Sequence, residues 1–113
     1  MDKRFEQTLL YDFYGELLTE HQKKIYEAVI FDDLSYAEAA DMFSVSRQAV
    51  HDNVRRTESL LRSYEEKLGL VDRFVKTKEL VKEIHSLARE FEKKGDRENV
   101  KRIAELSEEI GEL

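Results

Sequence analysis

The sequence has no cysteine and no proline, and only four glycines among 113 residues. Without cysteine there is no disulfide framework, no thiolate nucleophile and no Cys-ligated zinc site. Sheet proteins need many turns, and turns draw on Gly, Pro, Asn and Asp. So few turn residues predict an all-α chain of long helices joined by short connections. Long apolar runs are also missing. None approaches the roughly 20 residues needed to cross a bilayer, and no apolar signal core follows Met1-Asp2-Lys3-Arg4-Phe5-Glu6. The expected setting is the reducing cytoplasm, away from membranes. His21, His51 and His85 lie far apart, and none has a metal-ligand partner at helical spacing. No Gly-rich phosphate loop, Ser-His-Asp order or zinc-protease signature appears. The chain reads as a non-enzymatic protein without cofactor or metal.

A strongly basic balance is absent too. Lys and Arg number 19 against 25 Asp and Glu, a formal charge of −6. Residues 1–45 hold 4 basic against 10 acidic side chains, residues 46–70 hold 5 against 4, and residues 71–113 hold 10 against 11. The middle segment alone is not acidic. This distribution argues against tight, charge-driven, non-specific nucleic-acid binding. It leaves room for binding through one basic helix.

What is present is helical periodicity. Phe5, Leu9, Leu10, Phe13 and Leu17 predict an apolar stripe on a first helix over about Arg4–Leu18. The early cluster Tyr11, Phe13 and Tyr14 suits helix packing better than base stacking. Thr19 with Gln22 forms a capping box that opens a second helix near Glu20–Phe31. Ser35 with Glu38 forms another, opening a short helix over Tyr36–Phe43. Ser46 caps a fourth helix that starts at Arg47 and runs through Val50, Val54, Leu60, Leu61, Tyr64 and Leu68 to Gly69. Beyond Leu70 the composition shifts. Leu80, Ile84, Leu87 and Phe91, then Val100, Ile103, Leu106, Ile110 and Leu113, form two amphipathic segments broken at Lys93-Lys94-Gly95-Asp96. The expected organisation is a domain over 1–70 and a C-terminal helical hairpin or dimerisation segment over 71–113. A homodimer is favoured, although a closed monomer satisfies the same pattern.

Ser35 to Arg56 meets the requirements of a helix-turn-helix. Ala40 is small where the two helices approach. Ser44 stands at the turn, and Val45 plugs the angle. Val50 and Val54 supply the inner face of the second helix, and its outer face begins with Arg47 and Gln48. The expected nucleic-acid-binding residues are Ser46, Arg47, Gln48, His51, Asp52, Arg55 and Arg56. Arg47 suits guanine or phosphate, and Gln48 suits adenine, each bidentate base contact giving about 1–3 kcal/mol of discrimination. Arg55 and Arg56 suit phosphate, or surface pairing with Asp52 or Glu58. Asp52 is unfavourable near phosphates and is expected to pair with Arg56 at i+4.

The block resembles the promoter-reading region 4 of sigma factors, although the turn position, usually Gly there, is Ser44 here. A helix-turn-helix domain of winged-helix-like or sigma region 4-like kind is the fold expected. Two strings, Phe13-Tyr-Gly-Glu-Leu-Leu-Thr19 and Ser44-Val-Ser-Arg-Gln-Ala-Val-His-Asp-Asn-Val-Arg-Arg-Thr-Glu58, resemble the YlxM family of small bacterial helix-turn-helix proteins. This likeness covers nearly the first two-thirds of the chain and weakens after Leu70. It implies a DNA-binding regulator of transcription linked to the signal recognition particle pathway of protein targeting. The other reading is a protein- or RNA-interaction module, with the signal recognition particle RNA or its GTPase as partner and the helix-turn-helix as scaffold. A third is a unit whose only task is dimerisation.

Overall fold

Asp2 accepts a hydrogen bond from the Arg4 backbone N–H at 2.9 Å and so caps the first helix, α1 (Lys3–Tyr14). The structure, a computed structural model, describes residues 2–113. A single 3-10 turn, Gly15–Leu17, follows α1, and Leu18 is extended. The first helix therefore ends four residues before the expected Leu18. The tightened turn brings Leu18 into the core and delivers Thr19 to cap α2 (Glu20–Tyr26). Both hydrogen bonds of the Thr19–Gln22 capping box are present.

The buried face of α1 also differs from the expected stripe. Leu9 and Leu10 are buried as anticipated, but Phe5, Phe13 and Leu17 are 49%, 38% and 56% exposed. Gln7, Tyr14 and Leu18 take their places inside. The reason is polar. Gln7 Nε2 donates to Glu58 Oε1 at 2.6 Å, and the Tyr14 hydroxyl donates to Glu65 Oε1 at 2.5 Å. These bonds turn the Gln7–Leu10–Tyr14 row toward the fourth helix.

α2 widens into a π-helical turn, Glu27–Phe31. It closes with Asp32 N–H to Glu27 C=O at 2.9 Å and Leu34 N–H to Ala28 C=O at 3.0 Å. Tyr11, Tyr26 and Phe31 meet there with ring centroids 5.3–5.9 Å apart. Of the early aromatic cluster, Tyr11 and Tyr14 thus serve packing between helices.

The Ser35–Glu38 capping box opens α3 (Tyr36–Phe43). Ser46 Oγ accepts from Ala49 N–H at 3.0 Å and opens α4 (Arg47–Leu68). Along α4, Val50, Val54, Thr57 and Leu61 recur at spacings of four, three and four and are buried. With Ile25, Tyr26, Ala28, Ala39 and Ala40 they form the centre of the N-terminal core. Gly69, at φ 64°, closes α4 in the left-handed conformation that glycine adopts without penalty.

The chain divides into two compact units between Gly69 and Leu70. The second is a helical hairpin, α5 (Leu70–Lys94) and α6 (Arg97–Gly111). Its turn is Gly95 at φ 65° followed by Asp96, which caps α6 through Glu98 N–H. Leu106 is fully buried, and Ile84, Leu87, Ile103 and Ile110 are half-buried. Arg102 bridges the two helices to Glu83 at 3.6 Å. The all-helical class and the helix-turn-helix stand as expected. Among the described residues there is no strand, hence no β-wing, and no helix long and apolar enough to cross a membrane.

Ile25 is 1% exposed, so Ile25→Ala is expected to cost about 2–5 kcal/mol in urea unfolding; a loss under ~1 kcal/mol would mean that α2 does not hold the core. A second expectation concerns the tyrosines. Burial first, then Glu27, pushes the Tyr11 phenol pKa up, and burial first, then Glu58, pushes that of Tyr26 up. Both phenols resist ionisation in the folded state. Their stabilisation is therefore complete below about pH 10 and is lost as pH rises beyond it. An ultraviolet absorbance titration should show the last tyrosines ionising together with unfolding.

Candidate nucleic-acid interface

The turn between α3 and α4 is built by backbone hydrogen bonds that the sequence permits without glycine. Ser44 lies in the left-handed region at φ 55°, ψ 45°. Ser44 N–H bonds to Asp41 C=O at 3.4 Å and Val45 N–H to Ala40 C=O at 3.0 Å. That pair of bonds is a Schellman closure, which commonly sets an apolar contact between its last residue and the helix just ended. Val45 and Ala40 are the residues so placed. Val45 is half-buried and Ala40 is 6% exposed. The backbone then turns extended at Ser46, whose hydroxyl oxygen is engaged in capping α4.

Rotation of α4 about its axis is fixed by Val50 and Val54, 0% and 4% exposed. The other positions of this half of the helix are more open. Ser46, Arg47, Gln48, Asp52, Arg55 and Arg56 are all exposed, and His51 is half-buried. Among the described residues Arg47, Arg55 and Arg56 form no ion pair. Three other basic side chains of this unit are paired, while Lys3, Lys24 and Lys67 are in no ion pair among the described residues. Arg4 pairs with Asp33, Lys23 with Glu16 and Glu20, and Arg62 with Glu6. Three cations within ten residues of one helix are therefore left for an external anion.

Two expected pairings are replaced by others. Asp52 does not pair with Arg56. Its Oδ1 accepts from Gln48 Nε2 at 3.0 Å, one turn earlier on the same helix. Both Gln48 and Arg56 stand four residues from Asp52 on one helix face, and the carboxylate bonds the amide. Glu58 does not pair with Arg55 or Arg56 either. It faces the core side of α4, where Gln7 and the Tyr26 hydroxyl donate to it at 2.6 and 3.5 Å.

His51 contributes to packing. Its ring meets Tyr36 of α3 edge-on, with centroids 5.4 Å apart. Its Nδ1 is buried without a hydrogen bond and lies 3.7 Å from Asp52 Oδ1. Gln48, His51 and Asp52 thus form one cluster, with which none of the three arginines forms an ion pair. Gln22, Ala49, Asp52, Asn53 and Arg56 line a groove beside α4, and Arg55, Arg56, Ser59, Leu60 and Ser63 line a shallow concavity further along it. Tyr36 was not expected at this surface, and Gln22 was expected only as a capping residue. Tyr36 had a signal, since the first residue of α3 borders the second helix of any such motif. Among the described residues no cluster of His, Cys, Asp and Glu is arranged to hold a metal ion.

Ser44 bears a Cβ in a conformation that costs L-residues about 1–2 kcal/mol. Ser44→Gly is expected to raise stability by ~0.5–1 kcal/mol, the relief exceeding the added freedom of the unfolded chain. A neutral or negative change in the denaturation midpoint would show that the turn carries no strain.

Comparison with known proteins agrees with this geometry. The family described as "Putative helix-turn-helix protein, YlxM / p13 like" matches residues 1–105, further than the resemblance in the first two-thirds implied. A UPF0122 protein of Halalkalibacterium halodurans is 46% identical over 84 residues, 74% of this chain and 77% of its own. A UPF0122 protein of Acetivibrio thermocellus is 41% identical over 99% of both chains. One from Bacillus cereus is 40% identical over 97% of this chain and 98% of its own. On its helix-turn-helix geometry and on these matches, the chain belongs to the YlxM/p13-like family of helix-turn-helix proteins.

Proposed function

We propose that this protein is a non-enzymatic regulator that binds DNA through the first half of α4. The observation that carries the reading is the trio of unpaired, exposed arginines, Arg47, Arg55 and Arg56, on a helix whose inner face is locked into the core. Arg47, in the first turn, suits a base edge or a phosphate, and Arg55 and Arg56 suit the flanking backbone. The acidic remainder keeps non-specific attraction low, so the contacts made by α4 decide where the protein binds. We further propose that it acts in the signal recognition particle pathway, as the family resemblance implies. The domain of residues 1–70 carries the DNA contacts, and the hairpin of residues 71–113 pairs two copies. Val81 and Val100, each about half exposed on that hairpin, support such pairing. The reading places the protein in the cytoplasm.

A second reading has its own observation. Residues 1–45 carry 10 acidic side chains against 4 basic ones, and Arg4 and Lys23 among the latter are already paired. The resulting anionic face suits a basic protein, such as the GTPase of the signal recognition particle, or that protein bound to its RNA. Asp12 is the cleanest probe of this face, because Glu16 is held by Lys23 and Glu27 by the Tyr11 hydroxyl.

Titration against duplex DNA from the gene's own upstream region, at two salt concentrations, tests the first reading. Arg47→Ala is expected to cost about 1–3 kcal/mol on the preferred duplex, and Arg55→Ala to lower the salt slope by about 1. Binding to DNA that is salt-insensitive, or unchanged in both variants, overturns it. Silence on DNA, with binding to the particle or its GTPase that Asp12→Lys abolishes, supports the second reading.

A further inference from the structure

We propose that Asp52 is a positioning residue that holds the Gln48 amide in one orientation for reading adenine in duplex DNA. The proposal rests on the DNA-binding reading and deepens it. An aspartate at the outer face of a recognition helix is otherwise out of place. It repels phosphate, and among the described residues it neutralises no arginine.

The geometry gives it a task. Gln48 Nε2 lies 3.0 Å from Asp52 Oδ1. An ionised carboxylate only accepts hydrogen bonds, so the amide must turn its NH2 toward Asp52 and never its oxygen. A free glutamine in the first turn of a recognition helix presents donor and acceptor in either order. This one is held in a single order. One N–H is taken by Asp52, and one N–H and the carbonyl Oε1 remain. That donor and acceptor match N7 and the N6 amino group of adenine, the bidentate pattern glutamine makes in the major groove. The reversed amide would present the wrong order.

A histidine lies beside Asp52. His51 Nδ1, buried and without a hydrogen bond, stands 3.7 Å from the same Oδ1, and Tyr36 packs edge-on against the His51 ring. The same carboxylate oxygen thus has the Gln48 amide and the His51 ring as neighbours. Fixing the amide before contact reduces the side-chain freedom lost on binding and penalises every base that needs the opposite order.

The test is selection of binding sites from a duplex pool randomised over the half-site, with intact protein and with Gln48→Ala, Asp52→Asn and Asp52→Glu. Wild-type protein is expected to require adenine at one position, by roughly 5- to 150-fold over other bases. Gln48→Ala abolishes that preference alone. Asp52→Asn, which can accept or donate and so permits both amide orders, flattens the same position. It also strengthens binding to unselected DNA, because an anion facing phosphates is gone. Asp52→Glu keeps part of the preference. Loss of discrimination with gain of overall affinity is a combination that damage to the fold cannot produce. Asp52 is exposed, so the helix survives the changes, and circular dichroism verifies it. An adenine preference unchanged in Asp52→Asn, or its absence in a wild-type protein that does select DNA, overturns the proposal and leaves the DNA reading intact. If no duplex is enriched by wild-type protein, the DNA reading fails and this proposal fails with it.

Discussion

Val50, Val54, Thr57 and Leu61 sit on one side of α4 and are each no more than 4% exposed. A helix that buries residues at such spacing over three turns has no freedom to rotate about its own axis. The rest of the N-terminal unit is arranged around that constraint. α2 and α3 pack against α4, with Ile25, Ala39 and Ala40 buried in the same core, and α1 reaches the far half of α4. Because the inward face is fixed, the outward one is fixed too. The direction of Arg47, Gln48, Arg55 and Arg56 is a by-product of core packing.

Polar groups refine this arrangement. Thr57 is completely buried, with its hydroxyl 3.5 Å from Asn53 Oδ1. Glu58 gathers Gln7 from α1 and Tyr26 from α2 on one carboxylate oxygen, and Glu65 takes the Tyr14 hydroxyl. Hydrogen bonds to charged groups contribute about 1.5–3 kcal/mol each, against roughly 0.5–1.5 for neutral ones. They also specify register, since each requires one pair of side chains at one height along the helices. Glu58 and Glu65 of α4 are thereby drawn toward α1 and α2, while Asp52 stays on the outer face.

The parts of the fold legible in the sequence are those set by local chemistry. Thr19, Ser35, Ser46, Gly69 and Asp96 mark helix ends through hydrogen bonds within a few residues, and neighbouring sequence is enough to place them. The inner face of the recognition helix was legible for the same reason, as a simple period. The buried face of α1 was not. Phe13 and Leu17 are more apolar than Gln7 and Tyr14, yet Gln7 and Tyr14 are inside, because their polar tips meet carboxylates 51 residues away. No local pattern encodes such a partner. In the candidate interface the identities of the outward residues followed from periodicity. The pairing of Asp52 did not, because Gln48 and Arg56 stand at equal distances before and after it, and the choice depends on side-chain directions that only the folded helix settles.

The uninterrupted length of α4 has one more consequence. Its 22 residues form a rod about 33 Å long, with Arg47 at one end, Arg55 and Arg56 near the middle and the Glu65 carboxylate near the other end. No glycine or proline within Arg47–Leu68 provides a hinge, so the rod behaves as a lever. A tilt of roughly 5° about one end carries the other through about 3 Å, a whole hydrogen-bond length. A movement of the last turns of α4 is thus opposed by the same core packing that sets where Arg47 and Gln48 point.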